Sequence, residues 1–134
     1  MPCWLLKTEP SAYSFDDLVR DRRTRWDGVT NAQAQANLRA MRKGDDVVVY
    51  HSGEKAAVGL ARVVRPAYPD PADATGKRVA VDLEAARPLA APVRLEALRE
   101  EAAFEGSPLL RQGRLSVVPV TAVQWKTILR RAKG

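Results

Sequence analysis

Two β-branched runs in the middle of the chain, Val47-Val48-Val49-Tyr50-His51 and Val58 to Val64, constrain the fold most. β-Branched side chains lose rotamer freedom in a helix and pack well on a pleated surface, so both runs read as strands. Ser52-Gly53-Glu54-Lys55 between them reads as a hairpin turn. Cys3 to Lys7 is a short apolar run that reads as a buried first strand. Pro10 of Thr8-Glu9-Pro10 ends it, because proline cannot donate to a ladder. Val79, Val81 and Leu83 alternate with Ala80, Asp82 and Glu84 as in a half-exposed strand. Leu115 to Val120 is a last extended segment.

Helix signals separate these strands. Ser14 can cap a short helix reaching Arg20, with Asp16 and Asp17 in the positive first turn and Phe15, Leu18 and Val19 on one face. A second helix starts at Thr30 or Asn31 and runs to Lys43. Thr30 with Gln33 would make a capping box, and Asn31 alone would cap as well. Ala34, Leu38 and Met41 share its face, and Gly44 is expected just past its end. Leu95, Leu98 and Ala102 mark a helix stopped by Gly106-Ser107-Pro108. Thr121-Ala122-Val123-Gln124 is a capping box opening a helix in which Trp125, Ile128, Leu129 and Ala132 share a face. Arg20 to Trp26 carries four arginines before the turn signal Asp27-Gly28, and Pro66 to Gly76 reads as a surface loop. Strands interrupted irregularly by short helices indicate an α+β fold with a mixed or antiparallel sheet, which could close as a small barrel. With 134 residues and no repeat or linker, one domain over residues 1–134 is expected.

A net charge of +6 favours polyanionic partners, nucleic acid above all. Cys3, the single cysteine, cannot form an intramolecular disulfide, and neither a membrane span nor a signal peptide is legible, so a cytoplasmic protein with no membrane partner is expected. One Cys and one His cannot build a four-ligand zinc site, and there is no Gly-rich phosphate loop, so no metal and no cofactor are expected. Cys3 and His51 could pair as nucleophile and base on paper, but a buried structural thiol is the better reading, which leaves no catalytic residue. The positive signal is Trp26 beside a tight turn, with Asn31 and Gln33 at the following helix start. An indole stacks on any nucleobase, and an amide presents donor and acceptor in one plane, as a base edge does. Tyr50, His51 and Ser52 end a strand with polar groups, and Lys7, Thr8 and Glu9 do the same on the first strand. Each has an ordinary alternative: Trp26 as core, Asn31 as a cap, His51 as a satisfied side chain, Lys7 to Glu9 facing water.

These segments together resemble the EVE domain, a member of the PUA-like superfamily. The resemblance rests on Trp4-Leu5-Leu6-Lys7-Thr8-Glu9-Pro10, Tyr13-Ser14-Phe15-Asp16-Asp17-Leu18 and Trp26-Asp27-Gly28-Val29. It continues through Lys43-Gly44-Asp45, Tyr50-His51-Ser52, Ala67-Tyr68-Pro69-Asp70 and Gly113-Arg114-Leu115-Ser116-Val117. It implies a PUA-like pseudobarrel with short peripheral helices and a pocket for a modified nucleobase, similar to that of YTH domains, which cage methylated adenine in RNA. EVE domains are associated with modified cytosine in DNA. By resemblance, Trp26 would stack on the base and Asn31 would read its edge. Tyr50, His51 and Ser52 would line the wall, Lys7, Thr8 and Glu9 the floor, and Arg114 and Ser116 would reach the ligand or its phosphate. Thr30 stands where the family usually has Arg, and Ala32, Gln35 and Ala36 depart from its Asn-Pro-Gln-Ala-Arg-Asn run. The segment from Pro71 to Gly76 is shorter than in many members. The expected protein is a non-catalytic reader of one modified base in DNA or RNA, with Arg20, Arg22, Arg23, Arg25 and Arg39 on the backbone. The alternative is a small-molecule or nucleotide-binding domain, including an enzyme on free nucleosides.

Overall fold

The architecture is that of a computed structural model, which describes residues 2–133. In chain order the strands are β1 (Cys3–Thr8), β2 (Arg23–Trp26), β3 (Asp46–His51), β4 (Ala56–Pro69), β5 (Val79–Arg94) and β6 (Val117–Val120). The helices are α1 (Phe15–Asp21), α2 (Ala32–Ala40), α3 (Leu95–Arg99), α4 (Pro108–Arg111) and α5 (Ala122–Ala132), with a 3₁₀ turn at Ala102–Phe104. The six strands make one sheet in the order β2-β5-β4-β3-β1-β6. β1 runs parallel to β3 and every other pairing is antiparallel, so the α+β class with a mixed sheet is the one the chain adopts. Leu5, Leu6, Val47, Val48 and Val49 fill the centre, with Phe104 and Ile128 packed in from the helical side. Among the described residues no helix is long and apolar enough to cross a membrane.

The caps form as their side chains dictate. The Ser14 hydroxyl accepts from the Asp17 N–H at 3.0 Å, while the Asp17 carboxylate accepts from the Ser14 N–H at 2.9 Å. Thr121 and Gln124 make the same reciprocal pair at the start of α5. At α2 the cap is Asn31, whose Oδ1 accepts from the Ala34 N–H at 2.9 Å.

Several boundaries differ from the sequence expectation. α2 stops at Ala40, and Met41 is already extended, so Gly44 (φ 94°) serves the following turn and not the helix end. The arginine-rich stretch before Trp26 contains β2, an edge strand paired with Arg23 opposite Glu84 and Trp26 opposite Val81. The expected loop from Pro66 is strand as far as Pro69, and β5 continues eleven residues past Leu83 to Arg94. The helix expected through Ala102 ends at Arg99, and α4 opens with Pro108, a residue suited to a first helical turn.

β4 and β5 are long, 14 and 16 residues, and their ladder changes register four times. Each shift adds local twist and bend, and prolines 66, 69, 88 and 92 lie within these irregular strands. The bending curls the sheet until β2 at one edge and the segment leading into β6 at the other face the same cavity. Where β4 crosses beneath α1, Gly59 lets the Phe15 ring lie on the backbone. A Cβ built at Gly59 would meet three Phe15 ring atoms at 2.4–2.5 Å. Gly59→Ala is therefore expected to destabilise the fold by about 1–3 kcal/mol through overpacking. A urea titration with an unchanged midpoint would contradict this.

Candidate functional site

The cavity in the gap between the sheet edges has a volume of about 820 Å³. Lys7, Thr8 and Glu9 reach it from the end of β1, and Arg23 to Trp26 from β2. Asp27 to Asn31 form its rim, Tyr13 faces it from the turn before α1, and Arg114 and Ser116 approach from the segment leading into β6. The Lys7 N–H donates to the Ser116 carbonyl at 2.9 Å, which fixes the spacing of two of these walls.

Trp26 is 8% exposed and lines the cavity, so its core role and its wall role coexist. Tyr13 meets it edge-on, with ring centroids 6.4 Å apart at 86°. The Tyr13 hydroxyl donates to Asp21 at 2.9 Å. Burial above all, with the Asp21 carboxylate adding to it, pushes the Tyr13 phenol above its usual range. The edge contact thus joins two rings of the same cavity lining.

The rim is pinned at two places. Gly28 turns with φ 71°, and its N–H donates to Asp70 at 3.1 Å. Asp70 is 3% exposed and belongs to the turn after β4. Buried Gln35 donates through Nε2 to the Val29 carbonyl at 2.8 Å and accepts through Oε1 from the Val79 N–H at 2.8 Å. One amide thus ties the rim to β5. At Asn31 the carboxamide oxygen is committed to the cap, whereas Nδ2 makes no hydrogen bond among the described residues and stands at the cavity wall with two donors available.

The electrostatics are cationic but largely compensated. Arg23 pairs with Glu84 at 2.7 Å and Arg25 with Asp27 at 2.9 Å. The Lys7 ammonium donates to the Gly113 carbonyl at 3.1 Å and lies 5.7 Å from the Tyr50 ring centroid, and burial lowers its pKa from the ordinary lysine value. Arg114 is exposed and carries no ion pair or side-chain hydrogen bond among the described residues. Nor do three or more His, Cys, Asp or Glu side chains gather among the described residues as a metal site would require.

The other residues singled out from the sequence lie outside the cavity lining. Gln33 is exposed on α2. Tyr50 is buried behind Lys7. The His51 Nε2 accepts from the Phe15 N–H at 3.0 Å, so Nδ1 carries the proton toward Glu54 at 2.8 Å, and the ring fastens α1 to the hairpin. Ser52 bonds through its N–H to the Thr8 carbonyl at 2.9 Å. Arg20 is held by Asp17 and Asp21, and Arg39 donates to the Lys77 carbonyl at 2.6 Å. Tyr13, Gln35 and Asp70 were not singled out. The aromatic before a capping serine was a readable signal for Tyr13, whereas nothing local marks the other two.

Fold and site define a small α+β binding domain with its cavity at the open seam of a curled sheet. The chain belongs to the EVE domain family, whose model matches residues 2–131. It is similar to Rpa0253 from Rhodopseudomonas palustris, with 43% identity and a TM-score of 0.93 over 99% of this chain and 94% of that one. It is also similar to human thymocyte nuclear protein 1, at 40% identity over 80 residues, which is 50% of this chain and 36% of that protein. The chain therefore spans well under two thirds of that relative's length. The crystal structure of human THYN1 in complex with DNA containing 5-methylcytosine superposes with a TM-score of 0.87 at 29% identity, covering 100% of this chain and 99% of that one. A YTH domain, that of Zygosaccharomyces rouxii MRB1 in complex with N6-methyladenosine RNA, shares the fold at 11% identity with a TM-score of 0.62, over 98% of this chain and 86% of that one.

Proposed function

We propose that this chain, as one module over residues 1–134, is a non-catalytic reader that takes a single modified cytosine of DNA into the cavity at the sheet seam. The observation that carries the reading is the cavity itself: an indole wall at Trp26, an uncommitted amide donor at Asn31 and cationic groups around the mouth. Trp26 supplies a stacking face, and Asn31 Nδ2 meets an acceptor on the base edge. Thr8, Glu9 and Ser116 complete the polar surround, and Arg114 reaches the adjoining phosphate. Tyr50, His51, Ser52 and Gln33 act from behind or beside this wall. The likeness to human THYN1, whose complex contains 5-methylcytosine DNA, supports cytosine over adenine as the base read. In a duplex the base must leave the stack, at a cost of a few kcal/mol that contacts outside the cavity offset. The lone Cys3 fits a reducing setting, and the cytoplasm is the compartment proposed.

The test is a titration of intrinsic fluorescence with oligonucleotides carrying plain, methylated or hydroxymethylated cytosine, or methylated adenine. Saturable quenching by a modified cytosine, tighter than by the free nucleoside, is the expected result. A ligand bound equally well as the free nucleoside, or consumed on incubation, would replace this reading with that of a nucleotide-binding domain or an enzyme.

A further inference from the structure

A second groove, of about 680 Å³, opens beside the cavity between the end of α1 and residues Ala85 to Pro88 of β5. Arg23 lines both, so the two hollows share a wall. The groove's carboxylates are already engaged: Asp21 with Arg20 at 3.0 Å and with the Tyr13 hydroxyl, and Glu84 with Arg23 at 2.7 Å. Arg22 and Arg87 also line it, and neither has an ion pair or side-chain hydrogen bond among the described residues. Two cationic groups thus face a groove whose acidic residues are neutralised. Val19, 47% exposed, and Pro88 add apolar surface.

Arg22 has a backbone that an arginine adopts at a cost. It ends α1 with φ 66° and ψ −45°, its N–H donating to the Leu18 carbonyl at 2.7 Å and its carbonyl accepting from the Ala85 N–H at 2.9 Å. Glycine would make both hydrogen bonds with less strain. The turn therefore needs no side chain here, and the guanidinium is the feature that folding leaves unexplained.

We propose that this groove carries the sugar–phosphate strand leaving the base cavity, with Arg22 and Arg87 on its phosphates. The proposal rests on the base-reader reading and names the path of the chain beyond the base. β2 runs from Trp26 back to Arg23, three residue steps of ~3.3 Å or roughly 10 Å. A nucleic acid strand advances about 3.4 Å per phosphate along its helix axis, so the groove is within a few nucleotides of the read base. Arg20, Arg23, Arg25 and Arg39 are already engaged with protein groups, and this makes Arg22 the member of the arginine-rich stretch best able to meet a phosphate.

The experiment titrates the wild-type protein, the Arg22→Gln/Arg87→Gln double variant, the corresponding double lysine variant and Arg22→Gly. The probes are 5-methyl-2′-deoxycytidine and a short single-stranded DNA with one central 5-methylcytosine, over a range of sodium chloride concentrations. In the glutamine variant, oligonucleotide affinity is expected to fall about tenfold. Its slope in log salt is expected to flatten by about 1.4, the value for two lost contacts on a single strand. Nucleoside binding stays unchanged, and the lysine variant keeps most of the slope. Arg22→Gly loses about half of that slope change with its melting temperature unchanged or higher, an outcome that a purely structural role for Arg22 would reverse. A glutamine variant with wild-type affinity and slope, alongside a wild-type protein that binds, overturns the groove and leaves the base reading intact. A wild-type protein that binds neither probe overturns both.

Discussion

Trp26→Ala is expected to lower affinity for a modified-cytosine oligonucleotide about 10–100-fold, the loss that follows from removing one base-stacking contact of ~1–3 kcal/mol. The same substitution empties a buried site, and truncating a buried tryptophan costs the fold about 3–5 kcal/mol. A Trp26→Phe protein separates the two effects. It keeps a π-face in the cavity and an edge contact for Tyr13, so it should retain most of the binding while losing part of the stability. Calorimetric titration reads the affinity, and a thermal melt confirms that each protein is folded at the working temperature. Trp4 is buried against Asp45, and Trp125 lies on α5 outside the cavity lining, so quenching that disappears with Trp26 belongs to the cavity. A folded Trp26→Ala protein that binds as the wild type does would end the stacking assignment.

What the sequence disclosed about the fold were the features set by local chemistry. Ser14 with Asp17 and Thr121 with Gln124 satisfy helix N–H groups within three residues, and the valine-rich hairpin closes across four. β2 escaped because Arg23-Thr24-Arg25 carries no apolar signal: it is an edge strand, held by the ladder to Glu84–Val81, with Trp26 at its end the one side chain it buries. The lengths of β4 and β5 escaped because proline and irregular spacing normally announce a loop. Here register shifts accommodate Pro66 and Pro88, and a neighbouring strand supplies the order that a period-two pattern would have signalled.

The candidate site divides the same way. Trp26, Asn31 and Lys7 to Glu9 could be singled out because an indole and an amide suit a base and because the resemblance covers these positions, although each also has an ordinary structural role. Their convergence was not, since it depends on a sheet curling until residues 26 and 114 face one hollow. Gln35 was hidden for a further reason. A glutamine in a helix reads as surface, and its burial makes sense once its amide is seen to bond the Val29 carbonyl and both backbone groups of Val79. The arginines are divided by their partners. Their number suggested a uniform backbone-binding set, but a charge already engaged by a carboxylate gains less from a phosphate, and the ion pairs of Arg20, Arg23 and Arg25 divide the set.

Asp45→Ala is expected to lower stability by about 3 kcal/mol with little direct effect on the cavity, because it removes the acceptor that joins β1 to the turn before β3. Asp45 is 1% exposed, and its Oδ2 accepts from the Trp4 indole N–H at 3.0 Å and from the Arg42 N–H at 2.9 Å. Hydrogen bonds to a charged group contribute about 1.5–3 kcal/mol, and a buried donor left without a partner adds about 1–3 kcal/mol of penalty. The parallel pairing of β1 with β3 has no tight turn to hold it, so side-chain ties at its ends matter more than in a hairpin. Asp45→Asn retains one acceptor oxygen and should lose roughly half as much. Trp4→Phe removes the donor together with its need for a partner, so the double variant Trp4→Phe/Asp45→Ala should be less destabilised than the sum of the two single changes. A double-mutant cycle by urea denaturation measures that coupling. Strict additivity would mean that the Trp4–Asp45 bond contributes nothing, and that the strength of this corner of the sheet comes from apolar packing around Leu5 and Val47 instead.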